Sequence, residues 1–333
     1  MKRWIGGGPS PQGEISGSEL GGNGSILPST TSPTALSSSP PSLPREDFPV
    51  FWKKQDHTLS QPMTEADLQT IVTEFQRVAS RDTYRFPTPK DRTGTNVYKA
   101  ALVRVQHYET THPDNNSELL AFIRARSYER LRDYDKALAH YQSVRQQENG
   151  LAPEATTAIE ALSRFQEVKH RQVTAHTPVE YLEALDAQIV AWHELQQHYA
   201  GTPYETLARE EEERVDYAKV VLLELNRYRV EDGNESVLLA YSQLINKHKE
   251  SKHLPRYQMK IGDFYFTLAQ EYVAQYDPQS LRFDASIFEE LGRAALRFYA
   301  QVAQEDGIVE KQEAKGKLEA LEAYMAKIGR LSR

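Results

Sequence analysis

The chain has 333 residues, 39% of them hydrophobic, a formal net charge of −7 and no cysteine. Disulfides, thiolate nucleophiles and cysteine-ligated metal are thereby excluded, and the acidic balance offers no basic face to nucleic acid. The mean hydropathy of −0.65, with no apolar run near the roughly 18–20 residues that span a bilayer, fits a helical protein with much solvated surface.

The start, MKRWIGGGPSPQG, has a basic pair without an apolar core behind it, so the chain as written carries no export signal. Residues 1–47 are rich in Gly, Ser, Thr and Pro. Such a segment buries too little surface to offset its ordering entropy, and is expected to be a disordered tether. Residues 48–63 read as a linker. The aromatic patch DFPVFWKK, Asp47–Lys54, is expected either to dock on the folded body or to serve as a short recognition motif.

From residue 64 to 333 helical periodicity takes over, cut by turn signals such as RFPTPKDRTGT, THPDNNS, QENGLAP, AHTP, AGTP, EDGN, HLP and YDPQS. The intervals predict helices over 65–80, 95–111, 116–131, 134–148, 152–173, 178–199, 203–229, 234–249, 255–275, 284–305 and 309–329. No run alternates like a strand. The fold class is therefore all-α, with short turns joining successive helices into antiparallel hairpins.

The pattern repeats. Ala137, Tyr141 and Val144 correspond to Ala295, Tyr299 and Val302 at an offset of 158, and IEALSRF from Ile159 corresponds to LEALEAY from Leu318 at an offset of 159. Ala125 with Tyr128, and Gly262 with Tyr265, put a small residue three positions before a large one, which lets two helices approach closely. Tyr265 to Ala295 spans 30 residues where Tyr128 to Ala137 spans nine, so the later helices are longer or an insertion intervenes.

The order Ala125, Tyr128, Ala137, Tyr141 resembles the tetratricopeptide repeat. The likeness is good over 117–150 and partial elsewhere. It implies an α-solenoid of stacked hairpins that binds a protein or peptide partner without being an enzyme. HYAGTPYETLAREEEERV and the stretch 107–141 are also similar to repeat proteins of bacterial envelopes, including outer-membrane assembly lipoproteins. That likeness implies a periplasmic or outer-membrane-associated place if an export signal lies upstream; otherwise the expectation is cytoplasmic. In the repeat family the first helix of each hairpin lines the concave face. Carried onto Tyr128 and Tyr265, the outward positions are Phe122, Arg126 and Glu129, and Met259, Asp263 and Phe266, the candidate partner-binding residues.

HELQQH, His193–His198, approximates a zinc-protease helix, but its histidines lie five apart, and 100° per residue turns the rings about 140° from each other. The pairs His107/His112, His193/His198 and His248/His253 each straddle a predicted helix end, where imidazole suits the last carbonyls. EEEE at 210–213 reads as a solvated helix face near the positive end of the macrodipole, with Arg209 and Arg214 as ion-pair neighbours. The glycine clusters lack the strand and helix of a phosphate loop. No catalytic, cofactor or metal residue is therefore expected. Two alternatives stay open: an enzyme accessory or helical-toroid enzyme domain, and a self-associating structural component.

Overall fold

The computed structural model describes residues 64–81, 95–113, 117–147, 150–171, 175 and 177–332. The tether over 1–47, the linker over 48–63 and the patch Asp47–Lys54 lie outside the described residues. The described residues all belong to a compact unit formed within Asp56–Arg333.

Among them are eleven helices and no strand: α1 (Glu65–Arg81), α2 (Thr95–Thr111), α3 (Ser117–Arg130), α4 (Tyr134–Gln146), α5 (Ala152–Lys169), α6 (Pro178–His198), α7 (Pro203–Asn226), α8 (Gly233–Lys247), α9 (Leu254–Gln275), α10 (Ala285–Gln304) and α11 (Glu310–Leu331). Every predicted helix is found. The largest differences are at the ends of α5 and α7, which stop at Lys169 and Asn226. None of the eleven is long and apolar enough to cross a membrane.

The turn chemistry explains the boundaries. Proline occupies the first turn of α5, α6, α7 and α9, where no N–H partner is needed. Thr177, Thr202, Asp133 and Asp284 cap α6, α7, α4 and α10 by accepting a backbone N–H into the side chain. Gly201 and Gly307, at φ +76° and +77°, take the left-handed conformation that ends α6 and α10.

Each helix packs against its neighbours in the chain, and α9 also packs on α11. Ala137, Tyr141, Val144, Ala295, Tyr299 and Val302 are all buried to 1% exposure or less, so the two repeated segments occupy like positions in their hairpins. Tyr128 stacks on His140, and Tyr265 stacks on Phe298. At Gly262 α9 lies close against α10: a Cβ there would stand 2.8 Å from Tyr299 Cε1. The spacing left open between Tyr265 and Ala295 resolves into both: longer helices, α9 with 22 residues and α10 with 20 against 14 in α3 and 13 in α4, and a longer connection, 276–284 against 131–133.

Candidate functional site

Two features stand apart from ordinary core packing. The first is a cleft of about 480 Å³. Val72, Phe75 and Gln76 of α1 form one wall, and Leu119, Phe122, Ile123, Arg126 and Arg130 of α3 form its base. Leu151 and Glu154 at the start of α5, and Pro203 and Thr206 at the start of α7, complete it. Apolar surface predominates, and polar groups sit at defined points. Arg126 Nη1 donates to Glu129 Oε1 at 3.1 Å, and the Tyr141 hydroxyl donates to Glu129 Oε2 at 2.7 Å. The neighbouring Glu129 carboxylate holds Arg126 firmly protonated, against the effect of burial.

Of the six candidate partner-binding residues, Phe122 and Arg126 line this cleft. Glu129 does not face outward: it is fully buried behind Arg126, as a carboxylate accepting from two side chains. The set from α9 is taken up by internal packing. Met259 is buried at 4% exposure and joins the cluster around Tyr299 and Leu321. Phe266 packs edge-on against Tyr324 of α11. Asp263 accepts from the Tyr299 hydroxyl at 2.8 Å and from Lys317 Nζ at 2.7 Å. The reason is α11, which lies over the face of α9 that an open hairpin would leave bare.

The second feature corrects the reading of EEEE. Glu210, Glu211, Glu212 and Glu213 are not a solvated face; each is at most 4% exposed. Four successive residues sample about 300° of a helix, so α7 is enclosed on every side there. Glu210 is the eighth residue of α7, beyond the first turn in which the macrodipole favours anions. Its charge is met by cations from two distant turns: Arg132, between α3 and α4, at 2.7 Å and Lys252, between α8 and α9, at 2.6 Å. Burial alone would raise the Glu210 carboxyl, but these two charges hold it well below the usual carboxylate range.

The other three glutamates have their own surroundings. Glu211 accepts from the Tyr134 hydroxyl at 2.7 Å and pairs with Arg214 at 3.1 Å. Glu212 takes Lys247 Nζ at 2.7 Å; the same ammonium reaches Asp216, which also binds His248 Nε2 at 2.8 Å. Glu213 differs in kind. Ser251 donates its hydroxyl to it, no cation pairs with it directly among the described residues, and burial pushes its carboxyl up. Arg209 pairs with Glu205 at 3.1 Å. Sequence reasoning missed Arg132, Lys252, Ser251 and Tyr134. The available signal was the mid-helix position of the row, which the dipole does not explain.

His193 and His198 turn to different partners: His193 to Gln197 at 2.9 Å and His198 to Arg164 at 2.8 Å. His112 Nδ1 lies 3.3 Å from the Tyr108 carbonyl just past the end of α2. Among the described residues no group of three His, Asp or Glu side chains is arranged to hold a metal ion. No family model, curated protein or solved structure matches this chain.

Proposed function

We propose that this protein is a non-enzymatic helical-repeat scaffold, a solenoid of tetratricopeptide-like hairpins that holds a protein or peptide partner in the cleft between alternate helices. The observation that carries the reading is the origin of the cleft's lining. It comes from α1, α3, α5 with its preceding turn, and α7, and includes no residue of α2, α4 or α6. That is the lining expected when hairpins stack so that first helices share one face and second helices the other. The volume suits a few side chains of a short segment rather than a whole domain surface.

The test is photo-crosslinking in cells producing the protein at native level. A crosslinker at Thr206, on the cleft wall, should give a discrete protein adduct, and one at the exposed Leu239 of α8 should not. Filling the cleft with Gln76→Trp should abolish the Thr206 adduct. Equal adducts from both positions, or an adduct indifferent to Gln76→Trp, would rule out this cleft as the working surface.

A further inference from the structure

We propose that the α7–α8 turn is a docking surface, separate from the cleft, for a basic amphipathic segment of a protein partner. The segment's apolar side chains would meet Leu225, Tyr228 and Val230, and its lysines or arginines Glu231, Asp232 and Glu235. No residue of this turn lines the cleft, and the inference is independent of what the cleft binds.

Leu225 and Tyr228 are each 75% exposed, and Val230 is 41% exposed. Leu225 lies in the last turn of α7, and helical backbone runs on through Arg227, so Leu225 and Tyr228, three apart, share one side. Val230 follows in a turn closed by two backbone bonds, Arg229 N–H to the Asn226 carbonyl at 2.8 Å and Gly233 N–H to the Val230 carbonyl at 3.2 Å. Tyr228 is exposed and yet held. The Arg227 guanidinium lies over its ring at 4.4 Å, and its hydroxyl donates to Glu271 of α9 at 2.6 Å. The same guanidinium pairs with Glu271 and covers the Phe264 ring at 5.1 Å. Gly233 fixes the turn from its other end, where a Cβ would stand 1.8 Å from the Arg227 carbonyl oxygen. The tyrosine is therefore ordered before a partner arrives, and docking on it loses little further side-chain entropy.

Charge selects the partner. Glu231, Asp232 and Glu235 are exposed beside the apolar residues, and none of them is in an ion pair among the described residues. Arg229 is the one exposed cation of 225–235, since Arg227 is committed to Glu271. An apolar centre with an acidic rim steers in a partner of opposite charge. The same acids repel the anionic headgroups of a membrane surface, which favours protein over lipid as the occupant. The surface ends in the first turn of α8; Leu239, six residues beyond Gly233, lies about 9 Å further along that helix.

The experiment titrates the full chain, at about 0.15 M salt, with a fluorescent peptide of leucine and lysine at helical spacing, about five turns long. Its leucine–glutamate analogue serves as the comparison. The lysine peptide should bind, and the glutamate analogue should bind at least about tenfold more weakly. Leu225→Ser alters no charge and removes no core packing, and it should weaken binding of the lysine peptide about tenfold. Glu231→Lys with Glu235→Lys should do the same, and Gln76→Trp in the cleft should not. Equal binding of the two peptides, binding of neither, loss of binding in Gln76→Trp, or an affinity unchanged by Leu225→Ser overturns the proposal. Anionic phosphatidylserine vesicles should not retain the protein. Retention that Leu225→Ser abolishes would make the turn a membrane contact and overturn the proposal as well.

Discussion

Arg132 shows how much one side chain can be asked to do. It is not a glycine, yet its backbone lies at φ +63°, in the left-handed region that costs an L-residue about 1 kcal/mol. Its guanidinium meanwhile serves Glu210 and Glu211 from a position 78 residues away from Glu210 in sequence. Arg132→Ala keeps the strain and loses the ion pair, and should cost about 3–5 kcal/mol in chemical denaturation, as expected when a buried charge is left behind. Arg132→Gly loses the same pair but relieves the backbone, and should be less damaging by about 1 kcal/mol. Equal losses would mean that the left-handed turn is not strained. The neighbouring glutamates make a second contrast. Glu210→Gln removes a charge that two cations require and should be strongly destabilising. Glu213→Gln replaces a carboxyl whose folded pKa lies above its unfolded one, so that its unfavourable contribution grows as pH rises from about 4.5. At pH 8 this variant should be as stable as the wild type or more so; a large loss would show that Glu213 is needed as an anion. None of this was legible in EEEE itself. A run of like charge reads as solvated because its compensating cations, in two remote turns, are brought to it only by the tertiary fold.

At the level of helices the sequence was far more informative, and for a definable reason. Helix ends are set by local chemistry, the Thr-Pro and Asp caps and the Gly turns, which a single sequence displays directly. The offset of 158 identified positions that are buried alike because each side chain meets its partner within the same hairpin. Tyr141→Ala and Tyr299→Ala should each cost about 3–5 kcal/mol, read as a shift in the urea midpoint at constant slope. Gly262→Ala should cost about 1–3 kcal/mol, because its new methyl meets the Tyr299 ring; an unchanged midpoint would mean that α9 and α10 can separate freely. Phe122 and Arg126, carried over from the likeness to the repeat family, line a cleft. Met259, Asp263 and Phe266 carry the same periodicity, but α11 covers them. Periodicity reports which way a residue points on its helix and is silent on what arrives later in the chain to lie over it.

For the molecule as a whole, the buried ionic row dictates how stability answers to solvent. Burial opposes the charges of Glu210, Glu211 and Asp216, but their cationic partners more than offset it and hold all three below their unfolded values. Their contribution is present above the unfolded pKa, near 4.5 for Glu and 3.8 for Asp, and is lost as pH falls through and below that range. The urea midpoint should therefore drop steeply below about pH 4.5, while 1 M salt at pH 7 should move it little, since buried pairs are poorly screened. A midpoint as sensitive to salt as to acid would place the decisive charges at the surface. The row also bears on how the chain avoids assembling wrongly. Two hairpins that bury the same Ala, Tyr and Val pattern are interchangeable to an apolar surface, the usual route to misdocking in repeat proteins. They are not interchangeable to α7: counted from the capping aspartates Asp133 and Asp284, the residue in the place of Arg132 is Phe283. A hairpin docked in the wrong place would leave Glu210 and Glu211 without that cation, so the row acts as an address that only one of the two look-alike hairpins can answer. Refolding of a Glu210→Gln/Glu211→Gln double variant should then yield more misassembled oligomer than refolding of the wild type, and an unchanged yield would show that hydrophobic fit alone is enough to tell the two hairpins apart.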